Sequence, residues 1–153
     1  MKLSKILPVF FILVLFLFLG CTQGPTFKET NNPICEIDGK PIIRMYSTSW
    51  CPHCQWVAEA FDSVAKEYQS NGLIVAHHWE VDMLDDKLTD INEGSISEEE
   101  YAEFLRVSPK GSIPAFSFGC KYTRLGNGYE APTKDLAAEE KEFRETIDAL
   151  LQK

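Results

Sequence analysis

At 153 residues the chain suits one domain, with a core large enough to fold without staples. Its 23 acidic and 15 basic side chains leave a formal charge of −8 at pH 7, which opposes nucleic acid or an anionic membrane surface as a partner.

At the N-terminus, Lys2 and Lys5 precede an apolar stretch from Ile6 to Leu19 that only Pro8 interrupts. A bilayer span needs about 20 residues, so this stretch is short for a membrane helix and suits a signal-peptide core. Phe18-Leu19-Gly20-Cys21 resembles a lipoprotein processing site, with Phe18 where Leu is usual. Residues 1–20 are therefore expected to form a signal peptide, and Cys21 to become the lipid-modified first residue of an extracytoplasmic, membrane-anchored protein. An uncleaved anchor and plain secretion are the alternatives. Residues 21–33, polar and holding Gly24, Pro25 and Asn31-Asn32-Pro33, read as a tether to a domain over 34–153.

Ile34 to Ile37, Asp38-Gly39 and Pro41 to Ser47 predict a short strand, a turn and the first core strand. From Pro52 to Gln69, Val57, Ala60, Phe61, Val64, Ala65 and Tyr68 recur at helical spacing, and Asn71-Gly72 ends the helix. Leu73 to Val81 predicts the second core strand, in which His77 and His78 face opposite ways, one packed and one solvated. Met83 to Ser112 is acidic; Ser97 and Glu100 are spaced as a capping box for a helix running to about Val107. Its expected apolar stripe is Tyr101, Phe104 and Leu105, and Glu98-Glu99-Glu100 is its expected solvated start. Ala115 to Tyr122 and Tyr129 to Ala131 flank Gly126-Asn127-Gly128, which reads as a hairpin turn. A last helix from about Lys134 to Gln152 is expected to bury Leu136, Phe143, Ile147, Leu150 and Leu151. The sum is an α/β fold, a central mixed sheet flanked by helices with a helical insertion before the strand that follows Pro114.

Trp50-Cys51-Pro52-His53-Cys54 falls where the first core strand gives way to the first helix. That spacing puts two thiols within disulfide reach, and the unpaired N–H groups and partial positive charge of a helix N-terminus favour thiolate at Cys51. Thiolate is the attacking species in disulfide exchange. Pro52 suits the first helical position, where its missing N–H costs nothing. A lone Cys-x-x-Cys is also half of a zinc site, yet of the adjacent His77 and His78 at most one can face a metal.

Taken with Ile113-Pro114, the run from Ile42 to Cys54 resembles the thioredoxin superfamily, over roughly residues 34–153. The resemblance implies a thioredoxin-like fold, a cis-proline at Pro114 lying against the two cysteines, and backbone groups of Ile113 presented to an incoming peptide. Trp50 is thioredoxin-like, whereas Pro52-His53 matches the DsbA-type periplasmic oxidants. One departure matters: the buried acid that these families carry six residues before the first cysteine is replaced by Met45, so a proton acceptor for Cys54 is not identified.

The activity implied is that of a membrane-tethered thiol:disulfide oxidoreductase. Cys51 forms a mixed disulfide with a protein substrate, Cys54 resolves it, and a redox partner recycles the pair. No organic cofactor, metal or nucleic acid is called for. Copper or zinc handling by the same dithiol, and a redox-inert binding module, are the rival readings. Trp50 is either a contact surface or plain packing, and His53 either favours the Cys51 thiolate or is an exposed spacer. Weighing the Pro52-His53 pair above Trp50 and Ile113 predicts a reduction potential above thioredoxin's, near or above ~−200 mV. With Cys21 lipidated and Cys51 and Cys54 reactive, Cys35 and Cys120 are left for each other in an oxidising compartment. The thioredoxin arrangement carries both to the sheet end remote from the motif; two buried free thiols are the alternative.

Overall fold

The computed structural model describes residues 26–152. The expected signal peptide, Cys21 and the first part of the expected tether lie outside them.

The central strand β3 (Lys40–Ser47) is buried along almost its whole length. It is preceded by β1 (Lys28–Glu29) and β2 (Glu36–Ile37), the latter forming a hairpin with its first residues. Helix α1 (Pro52–Ser70) returns the chain to β4 (Val75–Glu80), which pairs parallel with β3. The short β5 (Asp85–Asp86) and helix α2 (Glu98–Val107) follow. Next come β6 (Ala115–Phe118), antiparallel to β3, then β7 (Tyr122–Leu125) and helix α3 (Leu136–Leu151). The sheet order β1-β7-β6-β3-β4-β5 and these strand directions make a central mixed sheet flanked by helices, the arrangement that the thioredoxin resemblance implies. Ile43, Met45, Phe116 and Phe118 pack with Val57, Phe61 and Val64 of α1 and with Phe143 and Ile147 of α3. A smaller cluster, Tyr46, Trp79, Phe104 and Ala115, lies on the α2 side.

Five expectations are corrected. The segment from Thr26 to Pro33 is docked, not a free tether: Phe27 is only 9% exposed, its ring lies 4.7 Å from that of Phe118, and Lys28 and Glu29 pair with Thr123 and Tyr122. One large apolar ring outweighs the polar composition around it. The hairpin turn lies at Gly119-Cys120, not at Gly126-Asn127-Gly128. Both turn residues have positive φ, 58° and 57°, and Lys121 N–H donates to the Phe118 carbonyl at 3.1 Å, closing the turn so that Phe118 pairs with Tyr122. A Cβ on Gly119 would stand 2.9 Å from Leu150 Cδ2.

In α2 the stripe shrinks to Phe104, with Tyr101 and Leu105 exposed, because its other inward residues are carboxylates. Arg44, 2% exposed on the neighbouring strand, needs a buried counter-charge, and Glu100 supplies it through contacts of 2.6, 2.8 and 3.0 Å. Ser97 Oγ accepts the Glu100 N–H, but the Glu100 side chain goes to Arg44 and not back to the cap. Helix α3 likewise buries Glu139 and Glu142, which grip Arg124 at 2.7 and 3.0 Å, while Leu136 and Leu151 are only half-buried.

Candidate active site

β3 ends at Ser47, and after Thr48-Ser49-Trp50 the chain enters α1. Cys51 is the N-cap of that helix, with extended backbone, and Pro52 opens its first turn. The Cys51 sulfur accepts the Cys54 N–H at 3.2 Å, the role that a Ser or Asp oxygen usually fills at this position. Both cysteines are free, and their sulfurs are 2.6 Å apart, with Cys54 donating to Cys51. They differ little in exposure, 4% for Cys51 and 2% for Cys54. The thiols differ more in chemistry: burial, and then the hydrogen bond to Cys51, push the Cys54 thiol up to about 12.

The Ile113–Pro114 peptide bond is cis. Pro114 is buried immediately before Ala115, which pairs with Tyr46, so it reaches the same end of the sheet as the loop carrying Cys51. Ile113 is half-buried and touches both apolar clusters. Trp50 is 71% exposed, so it is not packed. Beside it Ser49 binds Asp82 through its N–H at 3.0 Å and its hydroxyl at 2.6 Å, fixing the loop whose Met83 and Leu84 are also exposed.

The His53 ring is 65% exposed but not free: its Nδ1 lies 2.8 Å from Glu130 Oε2. Asn127 Nδ2 donates to the same carboxylate oxygen at 2.8 Å and to the His53 carbonyl at 2.9 Å. Desolvation pushes the Glu130 carboxyl upward, but hydrogen bonds from Asn127 and His53 hold it below the usual carboxylate value. The glycine-flanked Asn127, read as a turn residue, thus joins the loop after β7 to the motif.

Met45 is fully buried, and no acid occupies its position. Behind the motif, Ser47 Oγ is 2.9 Å from His78 Nε2, and His78 Nδ1 is 2.7 Å from Asp62 Oδ1. On the other face of β4, His77 Nδ1 is 2.7 Å from Asp86 Oδ2, and its ring stacks on Trp79. The two histidines therefore do not converge, and among the described residues no cluster of three or more His, Cys, Asp or Glu side chains is arranged to hold a metal ion. At the remote end of the sheet, Cys35 and Cys120 form a disulfide with Cα atoms 5.4 Å apart. Among the described residues no helix is long and apolar enough to cross a membrane.

No family model and no curated protein matches the chain. Among solved structures, an oxidised mutant of DsbA1 is similar, with 17% identity and a TM-score of 0.42, over 86% of this chain and 99% of that one.

Proposed function

We propose that the chain is a thiol:disulfide oxidoreductase acting through Cys51 and Cys54. The observation that supports this best is the pair of free thiols facing each other at 2.6 Å across the first turn of α1. The Cys51 sulfur caps the helix, where N–H groups and the helix dipole favour a thiolate. Cys54, held protonated at neutral pH by burial, waits to displace the substrate from Cys51. The substrates are protein thiols and disulfides, met by the exposed Trp50 together with Met83 and Leu84, with the backbone around Ile113 beside them. In this reading residues 1–20 are a signal peptide, lipid on Cys21 holds the protein at an extracytoplasmic membrane face, and a second redox protein recycles the dithiol.

Trapping tests the assignment. Cys54→Ser is expected to accumulate mixed disulfides with protein substrates, and Cys51→Ser to form none and to have no turnover in insulin reduction. Trapping by Cys51→Ser alone would reverse the roles, and trapping by neither would end the proposal. Equilibration with glutathione mixtures then sets the direction. A potential near or above ~−200 mV supports an oxidant, and one at or below ~−270 mV makes the protein a reductant.

A further inference from the structure

We propose that the Cys35–Cys120 disulfide is a second redox site of fixed polarity: a thiol reductant attacks Cys35, and Cys120 leaves as a thiolate held by Arg44. The site lies at the end of the sheet remote from Cys51 and does not depend on the dithiol reading above. Arg44 is 2% exposed, and its guanidinium turns the edge formed by Nε and Nη2 to Glu100. That carboxylate accounts for two of the three nitrogens. The third, Nη1, lies 3.7 Å from the Cys120 sulfur. A disulfide sulfur is a weak acceptor and a thiolate a strong one, so this contact reaches full strength only when the bond opens. Pairing with Glu100 alone would explain the Nε edge of Arg44 but not the place of Nη1.

The two sulfurs are unequal in access as well as in charge. Cys120 is 4% exposed, whereas Cys35 is half-buried and followed by the exposed Glu36. Among the described residues no cationic side chain binds Cys35, but two meet Cys120: Arg44 at its sulfur, and Arg106, whose Nη2 donates to its carbonyl at 3.2 Å. Glu100 is on the opposite edge of Arg44, Glu103 is paired with Arg106 at 2.6 Å, and Lys121 with Glu29 at 3.0 Å. A cation against a cysteine lowers its proton affinity, and the sulfur of lower proton affinity departs faster. Attack at Cys35 is therefore favoured both by approach and by departure. The backbone keeps its place without the bond: Cys35 N–H donates to the Gly119 carbonyl at 3.0 Å, and the Cys35 carbonyl accepts the Ile42 N–H at 3.0 Å. The Cys120 carbonyl also accepts the Thr30 hydroxyl at 3.0 Å. The reduced thiols thus stay opposite each other, ready to close again.

In the opening step a reductant thiolate bonds to the Cys35 sulfur as the bond from Cys35 to Cys120 breaks. The electron pair of that bond goes to Cys120, whose thiolate rests against Arg44 Nη1. A second reductant thiolate then attacks the reductant sulfur of the mixed disulfide and displaces Cys35, which takes a proton from water. The reductant ends as a disulfide, and Cys35 and Cys120 are reduced by two electrons. Arg44 is the residue that sets which sulfur leaves.

The test uses the full chain carrying Cys21→Ser, Cys51→Ser and Cys54→Ser, which isolates this pair and makes the result independent of the dithiol's fate. Ser is itself a good N-cap in place of Cys51. The oxidised protein is mixed with reduced glutathione at pH 7, quenched with acid and mapped by mass spectrometry of its peptides. Glutathione is expected on Cys35 at least about 10 times as often as on Cys120. After full reduction, ultraviolet thiolate absorbance should show one thiolate already present at pH 7. Adding Arg44→Met is expected to slow opening by about 10-fold, to narrow the preference for Cys35 and to remove that absorbance, which mere loosening of the sheet would not do. Arg44→Met combined with Glu100→Gln removes both charges of the buried pair and serves where the single change does not fold. Glutathione found evenly on both cysteines or mainly on Cys120 would overturn the proposal. So would a bond that stays closed until the chain unfolds.

Discussion

Glu130 and the two sulfurs show how much of the site is decided atom by atom. The Glu130 carboxylate is hydrogen-bonded to the residue between the cysteines, and a negative charge there opposes a thiolate on Cys51. Glu130→Gln keeps an oxygen acceptor and removes the charge, so the dithiol's potential is expected to rise, by about 10–30 mV, as is fitting for one exposed, screened pair. Equilibration of both proteins with glutathione checks it, and an unchanged or lower potential would show that Glu130 does not tune the thiols. The Cys-x-x-Cys was legible in the sequence because its parts are adjacent on one helical turn. Glu130 lies 77 residues from His53, and Ser47 lies 31 from His78, with no periodicity to connect them. Only the β3–β4 register and the loop after β7 bring them together.

At the scale of elements, apolar periodicity located α1 closely because the buried face of that helix is almost wholly apolar: Val57, Ala60, Phe61, Val64 and Ala65. It misjudged the faces of α2 and α3, where Glu100 turns inward to meet Arg44, and Glu139 and Glu142 to meet Arg124. Burial of a carboxylate depends on a cation supplied by another element, which no single window of sequence contains. The same limit hid β1, whose docking depends on Phe27. Its ring lies among Phe116, Phe118 and Phe143, and beneath the Arg124 guanidinium at 4.7 Å. Phe27→Ala is expected to destabilise the domain by about 3 kcal/mol, the low end for a buried phenylalanine because this one is at a sheet edge. Urea unfolding measures it, and a loss below about 0.5 kcal/mol, the range of surface substitutions, would return Thr26 to Pro33 to the role of a loose tether.

For the whole molecule, acid is the condition that loosens the charged joints together. Burial acts upward on Glu100 and Asp86. Even so, Arg44 holds Glu100 below the usual carboxylate value, and hydrogen bonds from His77 and from the backbone of His78 and Leu88 do the same for Asp86. A carboxyl whose folded pKa is depressed contributes stability that is fully present above its unfolded value, about 4, and is lost as pH falls through the folded one. The urea midpoint is therefore expected to hold from pH 7 to about 5 and to drop by pH 3, with a smaller drop in Glu100→Gln. An equal midpoint at pH 3 and pH 7 would count against this account.

Among the described residues the two sides of the sheet are unequally filled, with Tyr46, Trp79, Phe104 and Ala115 as the buried apolar cluster of the α2 side. Cooperative opening begins where the least apolar surface must be exposed, so the molecule should behave as two exchange units divided by the sheet itself. Ile113 packs against both clusters, which couples the stretch before Pro114 to the weaker unit. In deuterium labelling, the amides of α2 and of residues 108–113 should exchange together and ahead of those of α1 and α3. If the proposed function holds, access of a protein substrate to the end of the sheet that carries Cys51 would then be governed by the breathing of a layer on the far side of the sheet.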